Sequence, residues 1–177
     1  YIYRADDVWH GDRNIPGRWP ESYMMHFSPG SKNERFTSSV IVTVYINWDE
    51  VAPWENTFVE KRGDDYREFK IRKAEVLLDE VEKDFPGIRS CVKSYYTSTP
   101  LTYRDYTGTC RGSVYGLLKD YNSPLKTLIM PKTRVPNLLL TGQNTNAHGV
   151  IGVTIGSVLT CGGILGTQYL LDKIRNA

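Results

Sequence analysis

The residues of this chain best suited to chemistry lie at 137–157, Asn-Leu-Leu-Leu-Thr-Gly-Gln-Asn-Thr-Asn-Ala-His-Gly-Val-Ile-Gly-Val-Thr-Ile-Gly-Ser. A short apolar run, Leu138 to Thr141, reads as a strand and stops at Gly142. A polar loop follows, and a glycine-studded apolar helix is predicted from Gly149. A helix start presents unpaired backbone N–H groups and the positive end of its dipole to whatever faces it. Glycine carries no Cβ, so Gly142, Gly149 and Gly152 let the backbone come close to a ligand. Two readings stay open on this pattern. In one, the N–H groups of Val150, Ile151, Gly152 and Val153 face an anionic or electron-rich ligand, and Gln143 and Asn144 add neutral hydrogen-bonding side chains. In the other, the segment is a tight strand-to-helix packing motif with no ligand.

A second candidate is the aromatic-dense stretch 95–106, Tyr-Tyr-Thr-Ser-Thr-Pro-Leu-Thr-Tyr-Arg-Asp-Tyr. It can wall an apolar cavity, or its rings can be ordinary core and interface, with Arg104 and Asp105 a local ion pair. The three histidines are dispersed at 10, 26 and 148, and no H-E-x-x-H or G-x-S-x-G pattern occurs. His148 alone has a chemically interesting context, at the start of the glycine-rich helix, against the plainer reading of helix-cap packing. Tyr103, Tyr106 and His148 are the candidate catalytic side chains, and no metal site is predicted.

These residues need elements to position them. Residues 1–21, rich in Trp, Gly, Pro and charge, read as an irregular leading segment. Tyr23 to Ser28 is a predicted strand, and Pro29 to Asn33 a turn cluster. Ser39 to Asn47 is β-branched and apolar on both faces, which predicts a buried central strand. A polar-aromatic turn or short helix runs to Trp54. Asp64 to Asp84 carries apolar residues at helical spacing, with acids at its start and Pro86-Gly87 after its end, so an amphipathic surface helix is predicted. Ile88 to Thr99 alternates like a half-exposed strand, Pro100 to Tyr106 reads as a short helix, and Gly108 to Gly116 as loop. A longer loop covers 119–136. The last helix is predicted to run unbroken from about Gly149 to Ile174.

At 177 residues the chain has enough length for a real core, and 40% hydrophobic with 24% charged residues is the balance of a soluble globular protein. A net charge of +2 with interspersed signs gives no nucleic-acid footprint. Cys91, Cys110 and Cys161 are odd in number and not spaced as C-x-x-C, which predicts three buried free thiols in a reducing compartment. Residues 149–171 hold no charged side chain, and Gly152/Gly156 and Gly162/Gly166 stand at G-x-x-x-G spacing. A membrane span is weighed against that pattern. The glycine load, Thr154, Thr160, Thr167, Ser157 and Gln168, and the lack of a preceding basic flank, favour instead a helix buried against a sheet. The chain starts Tyr-Ile-Tyr without a signal peptide, so a fragment that is cytoplasmic or peripheral to a membrane is expected.

Thr99-Pro-Leu-Thr-Tyr-Arg-Asp-Tyr-Thr-Gly-Thr, Gly112-Ser-Val-Tyr-Gly and Pro136-Asn-Leu-Leu-Leu-Thr-Gly-Gln-Asn-Thr-Asn-Ala-His-Gly-Val-Ile-Gly-Val together resemble one family. They are similar to the C-terminal part of the phytoene desaturase, carotenoid isomerase and retinol saturase group of FAD-dependent oxidoreductases. The His-Gly-x-x-Gly variant after Gly-Gln-Asn lies nearest the retinol saturase branch. The resemblance spans about residues 20–175 and is specific in its last 80 or so. It implies an α+β chain, a fragment of a two-domain α/β flavoprotein with a mixed, largely antiparallel substrate-domain sheet over 22–118. A connecting loop at 119–136 and a strand and long helix at 137–177 would then complete the FAD domain.

The resemblance also implies that Gly142, Gln143 and Asn144 lie near the ribityl-pyrophosphate, and His148, Gly149, Val150, Ile151, Gly152 and Val153 near the isoalloxazine. The substrate would be an apolar polyene, isoprenoid or lipid, with NAD(P) as electron donor or acceptor and peripheral membrane contact. The Rossmann-type fingerprint G-x-G-x-x-G is absent from these residues. The missing N-terminal FAD domain of the same polypeptide is therefore the expected partner, and the fragment alone is expected to be inactive and to bind FAD weakly or not at all. The alternative is a non-catalytic module that binds apolar ligands or associates with membranes.

Overall fold

The computed structural model describes residues 1–4, 18–28 and 36–176, which pack as two units, 1–112 and 113–177. The predicted turn cluster at 29–33 and most of the leading segment lie outside the described residues.

The first unit pairs three antiparallel strands in the order β1-β2-β3: β1 (Ile2–Tyr3), β2 (Ser22–Ser28) and β3 (Ser39–Thr43). The register sets Ile2 against Tyr23, Met24 against Thr43 and Ser28 against Ser39. The leading segment thus contributes a strand where irregular chain was predicted. Ser39–Asn47 departs further from expectation. Only its first five residues pair, β3 sits at the edge of the described sheet, and Val40 and Ile41 are exposed rather than buried. β-Branching favours an extended backbone, but central placement needs a second pairing partner, and none lies among the described residues.

Short 3-10 turns at Trp48–Glu50 and Ala52–Trp54 lead to α1 (Gly63–Asp84). Tyr66, Phe69, Ala74 and Val81 form the buried stripe of α1, which confirms the amphipathic pattern. Tyr66 and Phe69 join Val51 and Leu101 in the core, with Ile46, Trp48 and Trp54 packed around them. Tyr23 on β2 donates to the Asp84 carboxylate at the end of α1, and Arg4 pairs with both Asp84 (2.6 Å) and Glu80. Burial first, then that hydrogen bond, pushes the Tyr23 hydroxyl well above its ordinary value.

The predicted strand 88–99 is replaced by α2 (Ile88–Cys91) and, over 92–99, a segment that pairs with no strand among the described residues. The cause is local. Gly87 takes φ +90°, and the Glu82 carboxylate accepts the N–H groups of Gly87 (2.7 Å) and Arg89 (2.9 Å), which closes a turn before any strand begins. Then α3 (Pro100–Thr107) starts as predicted, with Pro100 in its first turn and a capping box between Thr99 and Thr102, and ends at Gly108 (φ +69°).

The second unit is irregular up to 148 apart from a 3-10 turn at Pro124–Lys126. The predicted strand at 138–141 reduces to one bridge, Leu139 to Lys132, because no longer partner runs beside it among the described residues. The predicted single C-terminal helix is two, α4 (Gly149–Leu165) and α5 (Thr167–Arg175), broken where Gly166 adopts φ +91° and ψ 126°. No helix among the described residues is long and apolar enough to cross a membrane. Nor is α4 buried against a sheet: Val150 is 86% and Ile151 77% exposed, and only Gly152, Thr160 and Gly162 are buried. The three cysteines are free and exposed, against the expectation of burial: Cys91 ends α2, Cys110 begins the 3-10 turn Cys110–Gly112, and Cys161 stands on the open side of α4.

Candidate functional site

The 142–148 loop is shaped by contacts from several parts of the second unit. Gly142 takes φ +103°, and its carbonyl accepts both the N–H (3.2 Å) and the hydroxyl (2.7 Å) of Thr145, which turns the chain. The Asn146 side chain grips the backbone of Ile129 from both sides, accepting its N–H at 2.8 Å and donating to its carbonyl. Lys119 donates to the carbonyls of Thr127 (2.8 Å) and Thr145. His148, extended at φ −113° and ψ 172°, is the N-cap of α4, and its ring centroid lies 4.4 Å from that of Tyr115.

No side chain caps α4, so the N–H groups of its first turn are left to solvent or a ligand. Gly149 (φ +74°) opens the helix in a conformation other residues adopt only with strain. Gly152 lets the first turn fold down on Ala147, where an added Cβ would stand 2.8 Å away. Lower on the helix, the Thr160 hydroxyl reaches the Leu140 carbonyl at 3.2 Å, tying α4 to the apolar run before the loop.

The structure thus gathers Gly142, Gln143, Asn144, His148, Gly149, Val150, Ile151, Gly152 and Val153 into one loop and the first helical turns behind it. Gln143, Asn144, His148, Val150 and Ile151 are exposed, and Val153 is half-buried. The other two candidates, Tyr103 and Tyr106, stand on α3 in the first unit, both exposed. There the predicted Arg104–Asp105 pair forms at 2.8 Å, and it is larger than expected because buried Arg62 also donates to Asp105. Burial opposes ionisation of Asp105, but hydrogen bonds from Arg104 and Arg62 outweigh it and hold the carboxyl below its ordinary range.

Tyr115, Lys119 and Asn146 are the residues that sequence reasoning missed. Asn146 sat unremarked inside the polar loop, and Lys119 lies in a stretch with no periodicity. Gly116 is the signal that was available, since a residue without a Cβ lets two backbones approach closely. Among the described residues no cluster of His, Cys, Asp and Glu is placed to hold a metal ion.

No family model and no solved structure matches the chain. Curated proteins do. The chain is 28% identical over 150 residues to the all-trans-retinol 13,14-reductase of Danio rerio, covering 83% of this chain and 23% of that one. It is 33% identical over 146 residues to the human all-trans-retinol 13,14-reductase, covering 80% and 23%. A Danio rerio protein described as an inactive all-trans-retinol 13,14-reductase is 27% identical over 180 residues, covering 97% and 29%. The chain therefore spans about a quarter of the length of these relatives. Of the group its motifs resemble, the retinol saturase branch is the one these relatives represent. The chain is a homologue of the all-trans-retinol 13,14-reductases.

Proposed function

We propose that the chain is the C-terminal part of an FAD-dependent oxidoreductase that reduces a C=C bond of a retinoid or similar apolar polyene. The observation that carries this reading is the uncapped, glycine-opened start of α4 behind a polar loop, in a chain whose relatives are described as retinol reductases. The residues present fit a flavin dinucleotide. Gly142 and Gly149 leave space beside the backbone, and Gln143 and Asn144 offer exposed amides. FAD supplies hydride transfer when bound, and the protein supplies binding, orientation and electrostatics. In this reading Gly142, Gln143 and Asn144 hold the ribityl-pyrophosphate. The N–H groups of Gly149, Val150 and Ile151, unpaired within the helix, direct positive ends of dipoles at the ring and favour negative charge there, with Gly152 and Val153 in the turn behind them. His148, fixed as the N-cap, flanks the same face.

The remaining contacts to FAD come from a Rossmann-type part of the same polypeptide, with NAD(P)H as electron donor and peripheral contact with the membrane that dissolves the substrate. Expression of the full-length polypeptide tests this. A yellow protein with a flavin spectrum, which consumes all-trans-retinol and reduced nicotinamide and yields a product with one double bond fewer, is expected. A full-length protein purified without flavin and unable to take up FAD would sink the reading.

A second reading has one observation in its favour, that the relative matched along 97% of this chain is described as inactive. In that reading the fold is kept for binding an apolar ligand or a membrane without turnover. Flavin-loaded protein that binds retinol and never converts it is the outcome that selects it.

A further inference from the structure

The reading above leaves residues 115–119 without a role, yet they lie against the 142–148 loop. A Cβ at Gly116 would stand 2.6 Å from the Asn144 Cα and 2.8 Å from the Gln143 carbonyl oxygen. The two backbones therefore touch only because residue 116 has no side chain. The residues on either side of this contact point at the loop. The Tyr115 ring lies on His148 at 4.4 Å with 43° between planes. The Lys119 ammonium ends on the carbonyls of Thr127 and Thr145, and among the described residues it has no carboxylate partner. An ammonium has three donors. Two are used, so one donor and a full charge remain on the loop.

We propose that Tyr115 and Lys119 belong to the cofactor site, Tyr115 as a positioning residue and Lys119 as a phosphate-binding one. Tyr115 holds the His148 ring at the head of α4, and Lys119 gives the loop an unneutralised cation for the phosphate groups of the dinucleotide. This rests on the flavin reading. An exposed cation attracts an anion less as salt rises, because the Debye length shrinks to about 8–10 Å at physiological strength. A purely structural staple has no such dependence.

The test uses the full-length polypeptide, stripped of flavin and titrated with FAD at several salt concentrations, with quenching of flavin fluorescence as the readout. Lys119→Gln is expected to raise the Kd about tenfold, as loss of one charge-assisted hydrogen bond does. It also flattens the salt dependence, and Lys119→Arg restores the slope. Tyr115→Ala is expected to shift the visible absorption band of the bound flavin, while Tyr115→Phe keeps it. Lys119→Gln with the wild-type salt slope overturns the role of Lys119, whether its affinity is unchanged or falls together with thermal stability. An unshifted band in Tyr115→Ala overturns that of Tyr115. A wild-type protein that takes up no FAD overturns the flavin reading itself, and the inference with it.

Discussion

The two units use opposite means to hold their shape. The first closes a core of Val51, Tyr66, Phe69 and Leu101 and locks its helices with charges, Arg62 on Asp105 and Arg4 on Glu80 and Asp84. The second has no comparable cluster among its described residues. Its loop is held by side chains gripping backbone, Lys119 on Thr127 and Thr145, Asn146 on Ile129, and Thr160 on Leu140. Its most apolar helix keeps most of its surface open. The lesson is that apolar content does not by itself make a core. A unit stabilised by burial resists change, whereas a unit stabilised by individual hydrogen bonds to backbone keeps an adjustable surface, and the residues proposed to hold the flavin lie in the latter.

Four perturbations break or sharpen this contrast. The largest effect is expected for Leu101→Ala, since Leu101 is 0% exposed. Unfolding free energy, followed by the fluorescence of the tryptophans, all of which precede residue 113, should fall by about 2–5 kcal/mol. A loss under 1 kcal/mol would mean that the core is not closed. Next comes Gly116→Ala, which sets a methyl group against the Asn144 backbone. Overpacking of this kind costs about 1–3 kcal/mol, and hydrogen exchange should quicken at 142–148 while the tryptophan signal is unchanged. Equal change in both probes would show that the units do not respond separately.

Titration gives a smaller effect. Asp105 and Asp84 are held below the ordinary carboxyl value of 3.8, so their stabilisation is present above that pH and disappears as pH falls below it. The Tyr23 hydroxyl is raised above its ordinary 10.0, so its contribution is present below pH 10 and disappears above it. Tryptophan-detected stability should decline at both ends, and Asp84→Asn should flatten both limbs. A profile unaltered by that change would remove the Tyr23–Asp84 link from the account. The smallest effect belongs to Val150→Ser, at a position 86% exposed. Stability should move by no more than about 0.5 kcal/mol. A larger loss in urea unfolding would mean that the helix face is covered after all.

Local signals carried the elements whose causes are local. Acids at the start of α1 and Pro86-Gly87 beyond its end, Pro100 in the first turn of α3 and the glycine start of α4 each act within a turn or two, and each element stands where the pattern put it. The candidate site was legible as a loop and helix start for the same reason. The strand readings failed where pairing needed partners distant in sequence, and at 88–91 also because the turn at Gly87 closes first. Ser39–Thr43 looked central and is an edge, and 92–99 looked like a strand and pairs with nothing described. The break at Gly166 was also missed. A glycine within an apolar run is compatible with helix, and only its backbone angles reveal a stop.

By itself, then, the sequence determined the extents of α1 and α3, the start of α4 and the kinship with retinol reductases, because propensity, helix-end signals and motif act over short spans. Tertiary structure alone decided that Arg62 joins Asp105, that Tyr115 lies on His148 and that Lys119 and Asn146 hold the loop. These contacts join residues 17–43 positions apart, and no local preference selects among the partners a flexible polar side chain can reach. Only the folded backbone, by bringing one carbonyl or carboxylate within bonding distance, makes the choice.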